Sequence, residues 1–122
     1  MARRTIFLVA LCTLVAIVVA EELYTDKYDY IDIDAVLSNP RIRNQYYNCY
    51  QDLGPCLTPD AKFFKEKFPE AIVTKCRKCT AKQKEIFEKI VLFYTEKEPE
   101  KWNKVLLKAI QESKKSSDKK NE

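Results

Sequence analysis

Beyond residue 20, apolar side chains recur at intervals of three and four with charged residues laced between them, the spacing of one buried helix face rather than of a strand. The repeats run Ile42, Tyr46, Cys49, Tyr50 and Leu53; Ala61, Phe64 and Phe68; Ile72, Val73 and Cys76; Cys79, Ile86, Phe87, Ile90, Val91 and Tyr94; and Trp102, Leu106 and Ile110. Local start and stop signals divide them. Asp32 can cap a short helix running to residue 37. Asn39 can cap a second, running to about residue 52, with Pro40 at the first helical position, where its missing N–H is harmless. Gly54-Pro55 stops that helix. Thr58-Pro59-Asp60 repeats the start signal. Pro69 is expected to break or kink the helix near Phe68, because proline lacks a donor and clashes with the preceding turn, with helix resuming around Glu70. A long helix over about 77–95 and a last one over about 98–112 complete the set. The stretch Ile90-Val91-Leu92-Phe93-Tyr94 is apolar nearly all round and predicts a central helix with neighbours about it. The fold class is all-α, a compact bundle of about five to six short amphipathic helices, and no internal repeat is evident.

The first 20 residues change the picture of where this bundle works. Arg3 and Arg4 precede an uncharged apolar run, and Val18-Val19-Ala20 supplies small residues of the kind a signal peptidase cleaves after. Residues 1–20 are therefore expected to be a removable signal peptide. The uncharged run is shorter than the roughly 20 residues that span a bilayer core, which argues against an anchor. The domain is expected over 21–112 and a lysine-rich disordered tail over 113–122, in a secreted, extracellular product without stable membrane insertion.

Charge and composition narrow the function. The full chain carries 22 basic and 18 acidic residues. The excess sits in Arg3 and Arg4 and in Lys114, Lys115, Lys119 and Lys120, so residues 21–112 are balanced. A neutral, finely mixed body lacks the basic face that counterion release from nucleic acid requires, and no nucleic-acid partner is expected. Gly54 is the only glycine, which excludes the glycine-rich loops that cradle phosphates. Histidine is absent, and the serines, at positions 38, 113, 116 and 117, have no base to activate them. No enzyme activity and no cofactor are expected. Apart from Phe7, 13 aromatic residues remain. Large rings on short helices are hard to pack without gaps, and apolar gaps between helices are where small-molecule pockets form.

Setting Cys12 aside with the leader leaves Cys49, Cys56, Cys76 and Cys79. Three connectivities are open. Proximity favours Cys49 with Cys56 and Cys76 with Cys79, although sequence alone does not choose. A four-cysteine zinc site is disfavoured by the six-residue gap in the first pair and by export to an oxidising compartment; no metal is expected. A redox centre at Cys76-Arg77-Lys78-Cys79 lacks the βαβ setting that gives the motif its meaning.

The spacing Cys49-x6-Cys56-x19-Cys76-x2-Cys79 stands with Tyr24-Thr25-Asp26-Lys27-Tyr28-Asp29, Tyr46-Tyr47-Asn48-Cys49, Thr58-Pro59-Asp60 and Glu98-Pro99-Glu100-x-Trp102. Together these motifs resemble the insect chemosensory proteins, or OS-D-like proteins, from Tyr24 to about Leu106. The resemblance implies about six helices around an apolar channel, local disulfides Cys49–Cys56 and Cys76–Cys79, and a carrier of small hydrophobic molecules such as fatty acids, long-chain alcohols, esters or other semiochemical-like compounds. It implies Tyr28 and Tyr46 as aromatic wall residues with a hydroxyl, Gln83 as a polar contact and Trp102 as a channel-end aromatic. The remaining expected lining is Ile42, Tyr50, Phe64, Phe68, Ile72, Phe87, Ile90, Val91 and Leu106. Two departures stand out: one residue more than the family commonly has between Cys56 and Cys76, and a lysine-rich tail in place of an aromatic C-terminal helix. The second predicts a more open channel. The chain is expected to act as a monomer. The alternative is a secreted interaction or developmental factor that meets a receptor or surface partner through its last helix and tail.

Overall fold

A computed structural model describes residues 22–121; the expected leader, residues 1–20, lies outside the described residues. Five helices and no strand occur among the described residues: α1 Ile33–Ser38, α2 Pro40–Tyr50, α3 Pro59–Thr74, α4 Ala81–Lys97 and α5 Pro99–Asn121. The starts follow local chemistry. Asp32 accepts from the Ala35 N–H, and Thr58 from Ala61. Asn39 closes α1 and opens α2, its side chain accepting from Arg41 and Ile42. α4 begins at Ala81 rather than near residue 77. Thr80 and Gln83 form a reciprocal capping box there, and the Cys76–Cys79 bridge occupies the preceding turn.

Each helix packs against two others, in the cyclic order α1, α2, α3, α5, α4 and back to α1. This closed ring corrects the expectation of a central helix. α4 is one stave, lying between α1 and α5, and Leu92 in the middle of its apolar run is 58% exposed. Ile33 and Leu37 of α1 meet Ile86 and Tyr94 of α4 in the main core cluster, with Phe64 and Trp102 packed against it.

Three further expectations are corrected. α3 runs unbroken through Pro69. The missing hydrogen bond and ring clash cost about 3 kcal/mol in a free helix, but here Pro69 is buried and α3 is clamped between α2 and α5. On α5 the buried residues are Val105 and Ala109, while Leu106 is half-buried and Ile110 exposed, so the inward face is turned by one position. α5 also continues helical to Asn121, past the expected end near residue 112. No glycine or proline follows Pro99 to stop it.

Both disulfides join the expected cysteines, Cys49 with Cys56 and Cys76 with Cys79. The first spans, and the second follows, a helix end that reverses through left-handed backbone. After α2, Asp52 has φ 59°, and the Leu53 N–H returns to the Asn48 carbonyl at 2.8 Å. The Asp52 carboxylate binds Lys65 of α3 and Lys108 of α5, and Lys108 with Lys65 holds its pKa down to about 2. After α3, Lys75 has φ 55°, and the Cys76 N–H returns to Ala71 at 2.7 Å, completing a Schellman closure. Such closures favour glycine, since a Cβ in this region is strained. Lys75 is exposed. Lys75→Gly is therefore expected to stabilise the fold by about 0.5–1 kcal/mol, read as a higher urea midpoint with an unchanged slope. A lowered midpoint would count against a strained turn.

Candidate functional site

The ring of helices surrounds an apolar cavity of about 100 Å³ to which all five contribute. Helical spacing aims the side chains inward. α2 supplies Arg43, Tyr46, Tyr47 and Tyr50, which share one face at intervals of three and four. α3 supplies Ala61, Phe64, Lys65 and Phe68 on the same plan. Ile33, Val36 and Leu37 come from α1, Ile86, Ile90 and Tyr94 from α4, and Trp102 and Val105 from α5, with Ile31 from the preceding segment. A second void of about 30 Å³ lies beside the Cys76–Cys79 bridge, lined by Tyr24, Phe63, Gln83 and Phe87 among others. Phe64, Phe68, Ile86 and Ile90 line both, so these four side chains form the partition.

The polar groups of the walls are largely committed to the fold. The Tyr46 hydroxyl donates to the buried Asp60 carboxylate, and the Tyr50 hydroxyl donates to the Val105 carbonyl at 3.1 Å. Burial raises both hydroxyl pKa values well above the ordinary phenol range. Tyr94 is pushed up to about 12 by burial and then by the Glu98 charge. These hydroxyls therefore stay protonated around neutral pH. Lys65 is held outward by Asp52. Among the described residues, no group of three or more His, Cys, Asp or Glu side chains could hold a metal ion. No helix of the described residues is long and apolar enough to cross a membrane.

Of the residues expected to line a channel, Tyr46, Tyr50, Phe64, Phe68, Ile90 and Trp102 meet in the main cavity. Gln83 and Phe87 border the smaller one. Tyr28, Ile42, Ile72, Val91 and Leu106 line neither. Tyr28 instead packs its ring on Phe63, with centroids 5.0 Å apart, and Ile42 is exposed. The polar-contact role implied for Gln83 gives way to a structural one. Its amide donates to the Thr25 carbonyl at 2.8 Å and to Asp29 at 2.9 Å, and its carbonyl accepts from the Thr80 N–H at 3.0 Å, so no amide proton is left for a ligand.

Sequence reasoning missed the contribution of α1, although Ile33, Val36 and Leu37 have the spacing of a helix face. It also missed Tyr47, which shares the inward face of α2 with Tyr46 and Tyr50, and Ile86 and Tyr94, which were part of the apolar stripe of α4. Arg43 gave no such signal, since a charged side chain followed by Asn44 and Gln45 reads as surface.

Comparison with known proteins places this architecture. Residues 24–117 match the family described as "Insect pheromone-binding family, A10/OS-D". Ejaculatory bulb-specific protein 3 of Drosophila melanogaster is 38% identical over 92 residues, covering 75% of this chain and 72% of that protein. A chemosensory protein solved in complex with bromo-dodecanol superposes with a TM-score of 0.67 at 34% identity, over 79% of this chain and 98% of that one. The antennal chemosensory protein A6 of the moth Mamestra brassicae superposes with a TM-score of 0.61, also at 34% identity, over 79% of this chain and 91% of that one.

Proposed function

This chain belongs to the insect pheromone-binding family A10/OS-D, and from that premise we propose that it is a secreted carrier of small hydrophobic molecules such as fatty acids, long-chain alcohols or esters. The observation that carries the reading is the apolar cavity walled by all five helices. The complex of a 34%-identical chemosensory protein with bromo-dodecanol supports it. The leader-like segment 1–20 and the two disulfides support export to an oxidising compartment.

Binding is burial, with no bond made or broken. About 0.8 kcal/mol per methylene gives a dodecyl chain a gross gain of about 10 kcal/mol. Lost translational freedom and the ordering of ligand and walls offset several kcal/mol, leaving micromolar affinity. A void of about 100 Å³ is smaller than the roughly 300–1,000 Å³ of ordinary ligand sites. A long chain therefore makes room by displacing the partition residues, Phe64, Phe68 and Ile90 foremost because they are only half-buried, which merges the two voids.

Trp102, the only tryptophan, lines the main cavity and reports occupancy. Titrating the oxidised protein without its leader with saturated acids and alcohols of increasing length should give a saturable one-to-one change in emission. Affinity should rise with each methylene up to a length cutoff. A flat response across the series, with no bound lipid in native mass spectrometry, would sink the carrier reading.

A further inference from the structure

We propose that Arg43, on the wall of the main cavity, and Glu98, which stands behind it outside the lining, form a receptor for a neutral hydroxyl head group, so that long-chain alcohols are preferred over carboxylates and ethers of equal length. The inference rests on the carrier reading and specifies its cargo.

The cavity wall is apolar except at a few points, and Arg43 is the cation left facing it once Lys65 is drawn to Asp52. The Arg43 side chain is 15% exposed. It is fixed in place: Nη1 donates to the Leu37 carbonyl at the end of α1, at 2.6 Å, and the guanidinium lies over the Phe93 ring at 4.6 Å. Its Nε is buried without a hydrogen-bond partner. Oε2 of Glu98, at the junction of α4 and α5, is also buried and unpartnered. The two atoms stand 3.8 Å apart, an ion pair too long for a hydrogen bond. Glu98 is held by Lys101, whose Nζ lies 3.3 Å from Oε1, the other carboxylate oxygen.

A buried donor and a buried acceptor, each without a hydrogen bond, are both costly to the fold. One hydroxyl answers both, since it carries one donor and accepting lone pairs. A point about 2.8 Å from each atom is the apex of a triangle on the 3.8 Å base, and each of those lengths is an ordinary hydrogen-bond distance. At that point the hydroxyl oxygen accepts from Arg43 Nε–H and its proton is donated to Glu98 Oε2, while the alkyl chain extends along the apolar wall. A carboxylate matches only half of the pair. It accepts from Arg43 but brings a second negative charge against Glu98, where low dielectric strengthens repulsion. An ether accepts and cannot donate, so Oε2 stays unmatched.

The test compares 1-dodecanol, dodecyl methyl ether and dodecanoate on the oxidised protein and on Arg43→Met and Glu98→Gln. The unmodified protein is expected to bind the alcohol about tenfold more tightly than either other ligand, the scale of one hydrogen bond to a charged group. Arg43→Met should weaken alcohol and ether alike, by about tenfold, because both accept from Nε–H, and should leave the alcohol ahead of the ether, since only the alcohol donates to Glu98. Glu98→Gln should shift the carboxylate-to-alcohol ratio at least threefold toward carboxylate, which a purely structural role for Glu98 would not do. Equal binding of alcohol and ether to the unmodified protein overturns the proposal, and a bridging water that no ligand displaces gives that result. If Arg43→Met does not fold, an unchanged ratio in Glu98→Gln overturns it alone. Failure of all three ligands to bind would instead reject the carrier reading itself.

Discussion

Replacing Ile86 with alanine is expected to lower the unfolding free energy by about 3–4 kcal/mol, the upper part of the range for aliphatic truncations in a core. Two features place it there. Ile86 is 2% exposed and joins α4 to Ile33 and Leu37 of α1 in the main cluster, so most of its surface is lost from contact at once. It also borders both voids, so the space it vacates adjoins existing empty volume and the neighbours have little to collapse onto. The cost of such a substitution grows with the cavity that remains. In a domain of this size the loss corresponds to a fall in Tm of roughly 15 °C or more. The urea midpoint should drop with its slope unchanged, which assigns the effect to the native state. The same change opens the partition, so the variant should accept chains longer than the parent's cutoff even as it melts earlier. A loss below about 1 kcal/mol would mean that the four-residue partition is not a structural wall.

The parts of this fold that were legible in the sequence are those set by neighbours in the chain. Asp32, Asn39 and Thr58 cap helices because a side-chain oxygen needs only the N–H groups two or three residues on. The local disulfides belong to the same class. What was not legible depends on residues far apart. Pro69 reads as a breaker until α2 and α5 are known to hold α3 on both sides. The inward face of α5 was ambiguous because Val105, Leu106 and Leu107 offer three adjacent apolar directions, and only the docking of α5 on α3 and α4 chooses Val105. Gln83 looked available to a ligand because its partners, Thr25 and Asp29, lie more than 50 residues away. Arg43 was hidden for the same reason. Leu37 is only six residues away, but Phe93 and Glu98 reach Arg43 only when α4 closes the ring. The aromatic half of the cavity could therefore be anticipated from periodicity, whereas its polar end could not.

Reducing both disulfides is expected to cost about 4.5 kcal/mol, a large share of the roughly 5–15 kcal/mol typical of a native domain. The loops they close are short, with sequence separations of 7 and 3. The chain-entropy relation then assigns about 2.5 kcal/mol to the first bridge and about 2 kcal/mol to the second. Their positions make the two losses unequal beyond that difference. The Cys49–Cys56 bridge fixes the loop carrying Asp52, whose carboxylate ties α3 to α5, so its release frees the contact that closes one side of the ring. The Cys76–Cys79 bridge fixes the turn from α3 to α4, where the Tyr24 N–H meets the Lys78 carbonyl at 2.8 Å and Cys76 and Cys79 wall the smaller void. Cys49→Ala with Cys56→Ala should therefore lower the urea midpoint more than Cys76→Ala with Cys79→Ala, and the second pair should chiefly loosen the segment before α1. Denaturation of the oxidised, singly bridged and fully reduced forms separates the terms, and hydrogen exchange at Tyr24 reports the second locally. A combined loss under about 1 kcal/mol would mean that the hydrogen-bonded helix ends at Asp52 and Lys75 hold both turns unaided, and that the bridges act mainly on the unfolding rate.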